Sequence, residues 1–141
     1  FNYGLILAWV SINSEVSLVP IIFYLGAIFW TLGYDTIYGF QDIKDDEIIG
    51  LKSTSIKFKS NPYIFLNLCY LIFFISIILI GILMELNKYY FLFSILIFFH
   101  LIIFQIRPLD ISKPQMCLSK FKSNNFLGFL VFINTLIGGI L

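Results

Sequence analysis

Acidic residues in this chain are concentrated in one short stretch: of eight Asp and Glu residues, five are Asp35, Asp42, Asp45, Asp46 and Glu47. Asp42 and Asp46 are spaced to be neighbours on successive turns of a helix. At roughly 100° per residue, Asp35 joins them within about 40° on one face if the helix runs on through Gly39. Carboxylates stacked this way repel, so such a face calls for a cation. Two hard oxygen donors one turn apart suit Mg²⁺, which keeps several waters and completes its shell with substrate phosphates rather than a full protein cage. Lys52, just downstream, is a compact charge able to meet phosphate oxygens. The same acids also suit a solvated loop in which they pair with Lys44 and Lys52, and residue types alone leave both readings open. An EF-hand does not fit, because Lys44 takes the third position of a loop begun at Asp42 and Glu47 stands where Gly is needed. Walker, G-x-G-x-x-G and H-E-x-x-H motifs are absent from the chain.

The elements that must position these acids are oily. The chain is 60% apolar and 12% charged, with a mean hydropathy of +0.95, which excludes an ordinary soluble domain. Its apolar residues fall in long runs without strand-like alternation, so the expected class is an all-α integral membrane protein, a multi-span helical bundle. Membrane helices are predicted over residues 16–38, 62–84, 89–107 and 124–141, with residues 1–12 as the end of a truncated span. Four of these five acids then occupy the connection 39–61, and Asp35 lies near the end of the preceding span. Ser17, Asn61 and either Ser123 or Asn124 are predicted caps, with Pro62 in a first turn. Polar residues inside spans are costly and are expected to face the bundle interior: Asn67, His100, Gln105 and Asn134. His100 reads as a hydrogen-bonded packing residue rather than a base. Arg107 is placed to snorkel, and Asp110 to cap or pair locally. Cys69 and Cys117 suggest neither a disulfide framework nor a metal site. A net charge of +1 without a basic cluster gives no sign of nucleic acid binding.

The resemblance begins at Tyr34-Asp35-Thr36-Ile37-Tyr38, continues through Asp42, Asp45 and Asp46, and ends at Ile49-Gly50-Leu51-Lys52-Ser53-Thr54. Together these resemble the second Asp-rich motif of the UbiA-type prenyltransferases, in particular the branch acting on 4-hydroxybenzoate. Cys117, Phe121, Asn125 and Gly128 are similar to the family's entry into its last span. The resemblance implies the later half of a fold of about nine helices around a central cavity. The first motif, of the N-D-x-x-D type, is absent from these residues, so this 141-residue chain is expected to be inactive by itself.

The implied reaction is Mg²⁺-dependent transfer of a prenyl group from polyprenyl diphosphate to the ring of 4-hydroxybenzoate, in ubiquinone biosynthesis. Asp42 and Asp46 would hold the metal, and Asp35 would act with them in catalysis. Lys52, Tyr38 and Asp45 would meet substrate, with Tyr34 and Phe40 as further candidates to face the allylic cation. Homogentisate or a naphthoate as acceptor is disfavoured by the long agreement from Tyr34 to Thr54. A cation-transporting segment is disfavoured because its acids would lie along a span rather than in a loop.

Charge sets the expected orientation. Lys44, Lys52, Lys57 and Lys59 lie in one connection and Arg107, Lys113, Lys120 and Lys122 in another on the same side, against Lys88 alone on the opposite side. Such a bias puts the acidic loop inside: in the cytoplasm for a bacterial inner membrane, in the matrix for a mitochondrial one. Reporters fused after Lys57 and after Asn87 should therefore appear on opposite faces of the membrane; a shared face would refute the topology.

Overall fold

The computed structural model describes residues 2–140; Phe1 and Leu141, at the edges of the predicted terminal spans, lie outside them. Helices run over α1 (Gly4–Asn13), α2 (Leu18–Gly39), α3 (Ile43–Ile49), α4 (Thr54–Lys57), α5 (Pro62–Leu83), α6 (Lys88–Phe99), α7 (Pro114–Lys122) and α8 (Asn124–Ile140), and no strand occurs among the described residues. Beyond Phe99, α6 continues as a π-helical segment, His100–Ile106. Three helices are long and apolar enough to cross a membrane: Leu18–Gly39, Pro62–Leu83 and Lys88–Ile106. The connection read as a loop at 39–61 is partly helical, because it holds α3 and α4.

The antiparallel pair α2 and α5 forms the centre of the bundle. Glycines permit their close approach. A Cβ on Gly26 would collide with the Ser76 side chain, and one on Gly33 would stand 2.5 Å from the Tyr70 ring. Helix α6 packs against α8 and α5, while α7 lies against α2. Leu66, Tyr70, Phe73, Ile77 and Leu127 are fully buried between them.

In the π-helical segment the buried residues are His100, Leu101, Gln105 and Ile106. That spacing of five is the repeat of i→i+5 bonding, seen directly where Arg107 N–H donates to the Ile102 carbonyl at 2.9 Å. An α-helix would turn Gln105 well away from the face of His100. The π geometry instead brings Gln105 inward, where its amide oxygen accepts from the Tyr70 hydroxyl. Its amide nitrogen donates to Asn124 Oδ1 at 2.8 Å, and Trp30 Nε1 donates to that same oxygen at 2.9 Å. Four helices, α2, α5, α6 and α8, are thus joined by one satisfied polar cluster, as burial of polar groups requires.

Several local expectations differ from the structure. Asn67 is exposed and bonds back to the Tyr63 carbonyl of its own helix at 2.7 Å, which satisfies the amide without an interior partner. His100 is buried, but it packs on Phe104 and Phe126, and its Nδ1 has no hydrogen-bond partner among the described residues. Asn134 does bond across the bundle, donating to Ser94 Oγ at 3.0 Å. Ser17 and Asn61 stand at N-cap positions without capping through their side chains. An effective cap lies elsewhere: Asn87 accepts from the N–H groups of Tyr89 and Tyr90 at 2.9 and 3.1 Å and donates to the Ile137 carbonyl at 2.7 Å. It ties the start of α6 to the far end of α8.

In the full-length protein, Gln105→Leu should cost about 1–3 kcal/mol, because it strips Tyr70 and Asn124 of buried partners. Asn67→Leu should stay within about 0.5 kcal/mol. Thermal unfolding in lipid nanodiscs distinguishes the two; equal effects would show that the cluster holds nothing together.

Candidate active site

The last turns of α2 carry an aromatic and acidic face. Tyr34 and Tyr38 stand one turn apart, and Phe121 of α7 packs against both, with ring centroids 5.7 and 4.7 Å away. Trp30 meets Tyr34 edge-on at 5.7 Å. Asp35 and Tyr38 are exposed at this end of the helix. Phe40 is not part of that face: it is 1% exposed and belongs to the core.

Helix α2 ends at Gly39 because the Lys52-Ser53-Thr54-Ser55 stretch docks there. The Thr36 and Thr54 hydroxyls bond at 2.6 Å, and a Cβ on Gly39 would lie 2.5 Å from the Ser55 hydroxyl oxygen. Ser53 caps α4 by accepting from Ile56 N–H at 3.3 Å. The chain therefore bends over Phe40–Asp42 and begins α3 afresh. Asp42 is its N-cap residue, and the Asp42 carbonyl accepts from the N–H groups of Asp45 and Asp46, both at 3.0 Å. Asp42 and Asp46 thus keep their one-turn spacing, but Asp35 does not share a continuous helix with them. Gly50 closes α3 with φ of +79°, a left-handed conformation that glycine adopts without a Cβ penalty.

A hollow of about 710 Å³ opens beside α3, lined by Gln41, Asp42, Lys44, Asp45, Glu47, Lys59, Ser60 and Ser112 together with apolar side chains. Asp46 is half-buried and is not on that lining. Lys52 is exposed and lines a separate hollow of about 420 Å³ with Ser53, Thr54 and Lys57. The sequence-predicted residues therefore fall into three places. Asp42 and Asp45 share the larger hollow, Asp35 and Tyr38 sit at the end of α2, and Lys52 stands apart. The ion pair of this region is Glu47 with Lys59, instead of the pairs expected for Lys44 and Lys52. Lys59, Gln41 and Ser112 were not legible as site residues. Gln41 adjoins Asp42 but carries no signal of its own, and Lys59 and Ser112 are marked only by their convergence in space.

No group of three or more His, Cys, Asp or Glu residues among the described residues is arranged to cage a metal ion. The donor set nevertheless fits Mg²⁺, because Asp42 and Asp45 offer hard oxygens in an open space with room for water and phosphate. Asp110, near the hollow, is a local staple. It accepts from the Ser112 hydroxyl and N–H at 2.6 and 3.0 Å and pairs with Lys113 at 3.1 Å. The hydrogen bonds from Ser112 and Lys113 hold its pKa below the ordinary carboxylate value. Burial pushes the nearby Cys117 thiol up.

Comparison with known proteins adds to this geometry. Residues 1–136 match the description of the UbiA prenyltransferase family. The chain is 36% identical over 141 residues to the human mitochondrial 4-hydroxybenzoate polyprenyltransferase and 34% identical to the bovine one, covering 99% of this chain and 38% of each relative. It is 30% identical over 139 residues to the 4-hydroxybenzoate octaprenyltransferase of Francisella tularensis subsp. novicida (strain U112), covering 97% of this chain and 48% of that relative. The chain thus spans less than half the length of these relatives. No solved structure matches it. With the Asp-rich stretch, the helical bundle and a family match over nearly all its residues, this chain belongs to the UbiA prenyltransferase family.

Proposed function

We propose that this chain forms the later half of a 4-hydroxybenzoate polyprenyltransferase, which attaches a polyprenyl chain to the ring carbon ortho to the acceptor's hydroxyl in ubiquinone biosynthesis. Its substrates are polyprenyl diphosphate and 4-hydroxybenzoate. The observation that carries the reading is the meeting of an acidic hollow, at Asp42 and Asp45, with the end of an apolar bundle. A molecule with a diphosphate head and a long hydrocarbon tail suits that junction, since its tail stays in the bilayer while its head reaches the carboxylates.

Breaking the allylic C–O bond leaves a carbocation and a more negative diphosphate. Asp42 would hold the metal from the hollow together with Asp45, while Asp46, one turn from Asp42 but off that lining, would join them from the edge of the site. Bound there, Mg²⁺ supplies Lewis-acid and electrostatic stabilisation to the departing group. Lys52 lies just past α3 and lines a separate hollow, so it adds positive charge near the site without sharing the space beside Asp42. Asp35 orients the acceptor at the end of α2. Tyr38, with Tyr34 behind it and Phe121 bracing both rings, offers an aromatic face to the cation through cation–π attraction and keeps water from it. The eight-to-one distribution of Lys and Arg supports a loop on the cytoplasmic or matrix side.

In the full-length protein, Asp42→Asn and Asp46→Asn should each lower kcat/KM at least about 100-fold with expression retained, and chelation of divalent ions should abolish turnover. Near-normal rates in these variants or after chelation would sink the proposal, as would prenylation of homogentisate in preference to 4-hydroxybenzoate. The isolated 141-residue chain should show no prenyl transfer.

A further inference from the structure

The larger hollow is not purely acidic. Lys44 and Lys59 line it together with Asp42 and Asp45, and Lys59 enters from the turn between α4 and α5, a different segment from the one that supplies the carboxylates. The Lys59 ammonium is paired with Glu47, and their side chains are 54% and 37% exposed. Ion pairs this open to solvent are weak and cheaply exchanged. Gln41, on the same lining, has a buried amide oxygen with no donor among the described residues. Helix α3 makes its main packing contact with α4, and the Glu47–Lys59 pair ties it to the turn before α5.

We propose that Lys59 is a substrate-binding residue for the diphosphate head, parked on Glu47 until substrate arrives and then exchanging that carboxylate for a phosphate oxygen. This rests on the reading that the Asp42 hollow receives the metal and diphosphate. The physical reason is charge. A diphosphate beside the three carboxylates of Asp42, Asp45 and Glu47 needs cations that can follow it, and Lys59 reaches that space, whereas Lys52 lines a different hollow. Only non-covalent contacts change in the exchange. Glu47 is then a parking partner, so its neutralisation frees Lys59 and removes a nearby negative charge.

The test uses the full-length protein in proteoliposomes, with magnesium pyrophosphate as a competitor of prenyl transfer. Lys59→Gln should weaken competition by pyrophosphate, and raise the KM for the prenyl diphosphate, about fivefold with kcat little changed. Lys59→Arg should restore both to within about twofold, because it keeps the charge. Glu47→Gln should leave pyrophosphate affinity unchanged or raise it. If Lys59→Gln leaves pyrophosphate affinity unaltered, or if Glu47→Gln weakens it as much as Lys59→Gln does, the pair is only a structural latch and the proposal is overturned. Asp42→Asn separates this from failure of the underlying reading. Loss of pyrophosphate competition in Asp42→Asn but not in Lys59→Gln removes Lys59 alone, whereas retention in both removes the hollow as the diphosphate site.

Discussion

The Tyr70 side chain is the contact on which this bundle turns. Its ring occupies the room that Gly33 leaves on α2, and its hydroxyl is held by Gln105 from the π-helical end of α6. Gln105 in turn bonds Asn124 at the start of α8, and Asn124 accepts from Trp30 on α2. One aromatic ring and one shared amide cluster therefore fix α2 against α5, α6 and α8. In a hydrocarbon setting the helices gain little from apolar surface alone, since lipid tails are as apolar as the side chains. Close backbone approach and satisfied polar groups must set the arrangement.

That arrangement decides what the end of α2 can present. With Trp30 held by Asn124, α7 is drawn across the last turns of α2, where Phe121 braces Tyr34 and Tyr38. The Thr36–Thr54 bond and the contact of Gly39 with Ser55 stop the helix. The bend lets Asp42 cap the start of α3 and places Asp42, Asp45 and Glu47 on a hollow shared with the 59–60 and 111–114 segments. Rigid helices thus carry the aromatic face while a short, lightly packed helix carries the acids.

Much of the fold was legible because long apolar runs have few alternatives: a chain this oily can satisfy its backbone in a bilayer only as helices or as a closed barrel, and strand-like alternation was missing. Gln105 and Asn134 were correctly expected to face inward, since an unpaired amide in hydrocarbon is costly. Asn67 escaped the same argument by bonding its own helix at Tyr63. The caps at Ser17 and Asn61 were chosen by residue type, yet type does not fix the rotamer, and Asn87 performs that role. The π-helical segment left a trace in the sequence only as polar His100 and Gln105 five residues apart, a spacing without meaning until the burial pattern is seen.

By itself the sequence determined the class of protein, the approximate helices, the acidic motif and its family likeness, because hydrophobicity along the chain and residue order within a motif are local properties. Tertiary structure alone decided that Asp35 parts from Asp42 and Asp46 at Gly39, that Lys59 rather than Lys52 shares the hollow with Asp42, and that Phe121 stands against Tyr34 and Tyr38. These are meetings between segments distant in the chain or turned by a bend. They depend on where helices stop and on which side chains fill the spaces between them, and no spacing along the sequence encodes either.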